Sequence, residues 1–116
     1  MTITRINPQA RWSDVTVFNN TVYFVEVADN PEDEVEGQFR QILQQAEIRL
    51  ASVGSSKESL LQVTIYFTDR KNLAIINRLW EAWLPAGSAP VRAAVKAEMV
   101  DPCYLIELSF IAGIVS

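Results

Sequence analysis

The stretch Leu60-Leu-Gln-Val-Thr-Ile-Tyr-Phe-Thr68 is rich in branched and aromatic residues and holds neither Gly nor Pro. Such a run reads as a buried strand. Helical patterns flank it on both sides. Upstream, Val35, Phe39, Ile42, Leu43, Ala46 and Leu50 recur on one helical face, with Gln38, Arg40, Gln41, Gln44 and Glu47 on the other. Asp29-Asn30-Pro31-Glu32-Asp33 supplies a cap, a first-turn Pro and acids at the positive end of the dipole, and Gly54 stops the helix. Downstream, Leu73, Ile76, Trp80 and Trp83 form a second apolar stripe. Asp69 or Asn72 caps it, and Pro85 and Gly87 end it.

Working outward, three short strands precede the first helix: one flanked by Ile3 and Ile6, then Asp14 to Phe18, then Thr21 to Val27. Asn19-Asn20 separates the last two, and Asn tolerates the positive φ of a tight hairpin. Two strands close the chain, Val91 to Ala97 and Cys103 to Ala112, joined through Met99-Val-Asp-Pro102. The order is β-β-β-α-β-α-β-β, an α+β sandwich with both helices on one face of a six-stranded sheet. The strands 60–68 and 104–112 carry apolar residues on both sides, which predicts that the second face is covered by other copies of the chain.

The chain has 116 residues, 49% of them hydrophobic, enough for one domain over 1–116. Ten basic and 14 acidic residues give a net charge of -4. That balance argues against nucleic-acid binding, which needs a basic footprint. His is absent, removing the commonest general base and metal ligand. A lone Cys103 excludes an intramolecular disulfide and a Cys-rich zinc site. No signal-peptide pattern or apolar stretch long enough for a membrane span is present, so a cytoplasmic chain with no membrane partner is expected.

The segment from Ala89 to Leu108 carries the candidate chemistry. Alternation puts Arg92, Ala94 and Lys96 on one face of a strand and Val91, Ala93 and Val95 on the other. Read as a hairpin turning through Glu98 to Asp101, it sets Arg92 directly opposite Glu107, beside two small Ala side chains. Arg offers a planar fork for a carboxylate, and Glu can hold or deprotonate a water. The plain alternative is a surface salt bridge of under about 1 kcal/mol. Trp12, Trp80 and Trp83 read as core or interface, and Cys103 as an inert buried thiol. Ser13-Asp14 makes no hydrolase triad without His. Glu32, Asp33 and Glu34 are explained by the helix dipole.

At these residues the sequence resembles the RidA/YjgF/RutC family of reactive-intermediate deaminases, also labelled endoribonuclease L-PSP. Carrying the resemblance are Val63-Thr-Ile-Tyr-Phe-Thr-Asp69, Asn77-Arg-Leu-Trp-Glu-Ala-Trp83, Ala89-Pro-Val-Arg-Ala-Ala-Val-Lys-Ala-Glu98 and Ile106-Glu-Leu108. The Ala10-Arg-Trp-Ser-Asp14 start is similar to the divergent YoaB-like branch. The resemblance implies a chorismate-mutase-like fold and a homotrimer whose sheets form an inner barrel with clefts between subunits. It implies that Arg92 clamps the carboxylate of a 2-imino acid, that Glu107 orders the attacking water, and that Asn77 lies near the cleft with Ala94. No metal or organic cofactor is implied. Two departures fall in the cleft: Trp12 stands where the family has a Tyr, and Glu26 where it has a Gly. Two readings of Glu26 stand open: it pairs with Arg92, or failing that Arg11, and so competes with substrate, or it points to solvent at the strand's end and touches nothing.

Three functions follow as expectations. The first is hydrolysis of enamines and imines to 2-keto acids and ammonia. The second is a non-catalytic trimer that holds a small carboxylate, with Arg92 serving both. The third, an endoribonuclease, fits the acidic charge and the lack of His worst.

Overall fold

A computed structural model describes residues 2–115. Six strands form one sheet: β1 (Thr4–Ile6), β2 (Val15–Phe18), β3 (Thr21–Glu26), β4 (Leu60–Phe67), β5 (Val91–Lys96) and β6 (Ile106–Gly113). The spatial order is β1-β2-β3-β6-β4-β5. Helices α1 (Val35–Ser52) and α2 (Leu73–Trp83) intervene in the chain as expected. Both pack on one face. Val22 and Phe24 of β3, Val63, Ile65 and Phe67 of β4, and Ile106, Leu108 and Phe110 of β6 meet Phe39, Ile42, Ala46, Leu50, Ile76 and Trp80 in a single core. Phe24 stacks on Phe110 with ring centroids 4.7 Å apart.

Local signals account for most element ends. Asn19 and Asn20 both adopt positive φ, 55° and 58°, and Phe18 pairs with Thr21 across them, a two-residue hairpin of the expected kind. Gly54 sits at φ 81° past α1, and the Ser55 amide donates to the Leu50 carbonyl, closing the helix end. Asp69, not Asn72, caps the turn leading into α2, its carboxylate accepting from the Lys71 amide.

Three expectations change. First, α1 starts only at Val35, and Asp29 to Asp33 form a loop strapped to it. The side chains of Gln45 and Gln41 accept from the Asp29 and Asn30 amides, and Gln41 also donates to the Asp33 carboxylate at 2.6 Å. A Cβ on Gly37 would lie 2.7 Å from that of Asp33, so Gly37 lets the strap lie close.

Second, Gln38 is not on the solvent side. It is fully buried, its Nε2 facing the carbonyls of Pro31, Asp33 and Cys103 and its Oε1 accepting from the Leu105 amide. Four polar contacts of the loops before α1 and β6 are gathered on one side chain, which makes its burial affordable.

Third, β5 and β6 do not form a hairpin. β5 runs parallel to β4 on its outer edge, and β6 lies between β3 and β4. Residue exposure explains the choice. Ile106, Leu108, Phe110 and Ala112 are buried, as a central strand requires, whereas every residue of β5 is exposed, as an edge allows. A parallel pair needs a long crossover, and α2 provides it.

The face without helices presents Thr64, Tyr66, Glu107 and Ser109 beside Tyr23, Val25 and Ile111. Val91, Ala93 and Val95 of β5 share this side, and Tyr23, Val25, Leu61, Val91 and Val95 are all exposed, so the face carries a broad apolar share beside its polar centre. No helix among the described residues is long and apolar enough to cross a membrane.

Candidate functional site

The sheet register separates Arg92 from Glu107. Arg92 aligns with Val63, whose partner on β6 is Phe110; Glu107 aligns with Tyr66. The two are two strands apart, about 10 Å, and offset by three residues, about 10 Å more. They also point to opposite faces. Val63 is buried under the helices, so its neighbour Arg92 projects to the helix side, together with Ala94 and Lys96. Glu107 alternates with buried Ile106 and Leu108 and projects to the open side. The expected facing pair does not exist within one chain.

On the helix side, the exposed end of the sheet carries the first cluster. Arg92 donates from Nη1 to Oδ1 of Asn77 on α2, at 2.8 Å. Among the described residues no carboxylate lies within salt-bridge distance of Arg92. A neutral amide thus orients the guanidinium without cancelling its charge. Small Ala94, exposed two residues on, leaves the space beside it open.

On the open side lies the second cluster, a groove of about 690 Å³. Trp12, Asp14, Tyr23, Val25, Glu107 and Ser109 line it, joined by Arg49. Trp12 is 62% exposed, a large indole uncovered at the groove wall rather than a core residue. Trp80, by contrast, is buried, and Trp83 packs against it and donates from its indole to Glu47.

Glu26 belongs to neither position expected of it. The carboxylate turns beneath α1, where Oε2 accepts from Nε of Arg49 at 3.1 Å and Oε1 from Nε2 of Gln45 at 2.9 Å. Neither Arg92 nor Arg11 is its partner. The reason is the strand's phase. Val22, Phe24 and Glu26 share the buried face, so Glu26 meets the helix, and the cation must come from there. Arg49 was not singled out from sequence, yet it carried a signal. It follows Ala46 by three residues and Ile42 by seven, so it stands on the apolar stripe of α1, where a charge demands a buried counter-charge.

Cys103 is exposed, not buried, in the loop between β5 and β6. A hydrogen bond from the thiol to Asp101 pushes its pKa up, and the same contact holds the Asp101 carboxyl below its ordinary range. The thiol is muted chiefly by this hydrogen bond.

Known proteins match this chain over nearly its full length. The family profile described as endoribonuclease L-PSP matches residues 2–114. The RutC family protein YoaB of Escherichia coli is 40% identical over 114 residues, covering 98% of this chain and all of that protein. A crystal structure of an uncharacterized protein from Pseudomonas aeruginosa superposes with a TM-score of 0.94 at 36% identity, covering 98% of this chain and 100% of the other. A member of the YjgF protein family from Neisseria meningitidis superposes at 0.93 with 30% identity, covering 100% and 98%. Matched over nearly its full length in both sequence and fold, the chain belongs to the RidA/YjgF/RutC family, the endoribonuclease L-PSP family of its profile.

Proposed function

We propose that this protein hydrolyses 2-imino acids, and the enamines in equilibrium with them, to 2-keto acids and ammonia. The site is a cleft between subunits of a homotrimer. The observation that carries the reading is Arg92: an exposed guanidinium, oriented by Asn77 and free of any carboxylate among the described residues. Such a fork recognises a planar carboxylate bidentately. Glu107 is the complementary group, on the floor of a groove large enough for a small acid. Because the two lie on opposite faces of one chain, only two chains together bring them to one ligand. The half-apolar open face and the uncovered edge strand β5 supply surfaces for that assembly.

The chemistry needs little. A protonated imine carbon is already electrophilic. Water adds to it, giving a carbinolamine; the C–N bond then breaks, ammonia leaves, and the C=O bond forms. Arg92 would fix the carboxylate and so the plane of the imine. Glu107 would accept a hydrogen bond from the water, orient it, and take its proton as the C–O bond forms. Trp12 would cover the ligand from the groove wall and limit bulk water.

The family label names an endoribonuclease. A chain with 14 acidic and 10 basic residues and no His is poorly equipped for that reaction. The test is turnover of 2-iminobutanoate, generated in situ by an amino-acid oxidase, by wild type, Arg92→Ala and Glu107→Gln. Wild-type acceleration lost in both variants supports the reading. Binding of 2-ketobutyrate through Arg92 without turnover would leave a carboxylate-binding protein instead.

A further inference from the structure

We propose that Arg49, held by Glu26, is a specificity-determining residue of this site. It would select ligands that carry, beyond the 2-imino carboxylate, a second oxygen acceptor at the far end of the side chain, a carboxylate or a carboxamide. The proposal rests on the reading above and narrows its substrate class.

Three observations lead there. Arg49 lines the same groove as Glu107, Ser109 and Trp12, although it comes from α1. Its Nε is committed to Glu26, while its Nη groups make no hydrogen bond among the described residues. Glu26 is itself 7% exposed and doubly held, by Arg49 and by Gln45, so the guanidinium has a rigid anchor. An Arg needed only to neutralise a buried acid could do so from any side; this one is half-buried at 31% side-chain exposure and borders open space.

The pair also has a sequence aspect. Position 26 is where the resemblance puts a Gly, and a Gly there would leave an Arg at 49 without a counter-charge. With Arg49 as its partner, the Glu26 carboxylate is drawn under α1 and does not block the groove. The pair's net charge is zero, and Asp14 and Glu107 also border the groove. Recognition therefore works through the uncommitted Nη donors more than through field strength, which is why a neutral amide oxygen qualifies beside a carboxylate. Arg92 of a neighbouring subunit and Arg49 would then grip the two ends of the ligand, with Glu107 between them at the reacting carbon.

Calorimetric binding of 2-ketobutyrate, 2-oxoglutarate and 2-oxoglutaramate tests this without requiring turnover. Wild type should bind at least one of the two longer acids about tenfold tighter than 2-ketobutyrate. Which of the two is preferred tells carboxylate from carboxamide. In the paired variant Glu26→Gln with Arg49→Met, which removes both charges together and spares the fold a stranded ion, that preference should vanish. Arg49→Lys keeps the charge but not the fork and should lose most of it. Equal affinities in wild type, a preference that survives the paired variant, or no binding of any of the three would overturn the assignment. Turnover of 2-iminobutanoate without any preference would sink this inference alone. A preference without turnover of any imine would sink only the hydrolytic reading.

Discussion

Arg92 and Asn77 are joined by a 2.8 Å hydrogen bond that ties an exposed edge strand to the second helix. The bond uses one Nη of the guanidinium and leaves its charge uncompensated. Replacing Asn77 by Asp would keep the geometry and supply a carboxylate. The new ion pair would then occupy the fork that a ligand needs. Asn77→Asp should weaken 2-ketobutyrate binding more than Asn77→Ala does, by roughly tenfold or more. Titration of the two variants side by side checks this; equal affinities would show that Asn77 merely borders the site.

Gln38 is the buried polar residue on which the loops converge. Gln38→Leu would strand the Leu105 amide and the carbonyls of Pro31, Asp33 and Cys103. Each buried group left unpaired costs about 1–3 kcal/mol, so the loss should be at least 3 kcal/mol by urea unfolding. Gln38→Glu removes the donor and faces a carboxylate toward three carbonyls. Its deficit should be larger at pH 7 than at pH 4, because the protonated acid regains one donor. A Gln38→Leu variant as stable as wild type would mean that water replaces the amide.

Most of the fold was legible in the sequence because its signals are local. The helical stripe from Val35 to Leu50, the paired Asn at 19 and 20 and the stop at Gly54 each act within a few residues. The pairing of the last two strands was not legible. A nine-residue gap between Lys96 and Ile106 permits a hairpin as well as a separation, and only the sheet-wide demand for a buried central strand decides. The same gap misplaced Arg92 relative to Glu107. Glu26 was readable either as a partly buried acid in need of a cation or as a solvated strand end, and its partner lies 23 residues away on a helix whose phase relative to the sheet is a tertiary fact. Gln38 illustrates the reverse failure: a polar side chain beside the apolar stripe looks solvated until the loops that it satisfies are in place.

Cys103 should be exposed yet slow to react. Its thiol is bonded to Asp101, and the neighbouring carboxylate disfavours the thiolate, which raises the pKa. The thiolate fraction at pH 8 is therefore smaller than for a free cysteine. Asp101→Asn removes the charge, lowers the thiol pKa toward its ordinary value and should raise the iodoacetamide rate several-fold at pH 8. The two rates should converge at high pH, where both thiols are ionised. Equal rates at pH 8 would place the thiol away from Asp101 in solution.

The opposite-facing placement of Arg92 and Glu107 makes the shared site directly testable. If one ligand must meet Arg92 of one subunit and Glu107 of another, each site draws its two groups from different chains. A pure Arg92→Ala assembly and a pure Glu107→Gln assembly would then have no complete site. After co-refolding at equal amounts, a site is complete when its Arg92 comes from the Glu107→Gln chain and its Glu107 from the Arg92→Ala chain. Random assembly makes that so in about one site in four, giving about a quarter of wild-type turnover from two inactive parents. Mass spectrometry of the mixture confirms that chains have exchanged. Exchange without recovered turnover would mean that different chains do not supply Arg92 and Glu107 to one site. Arg92 and Glu107, about 10 Å apart in each of two directions along the sheet, would then not act on the same molecule.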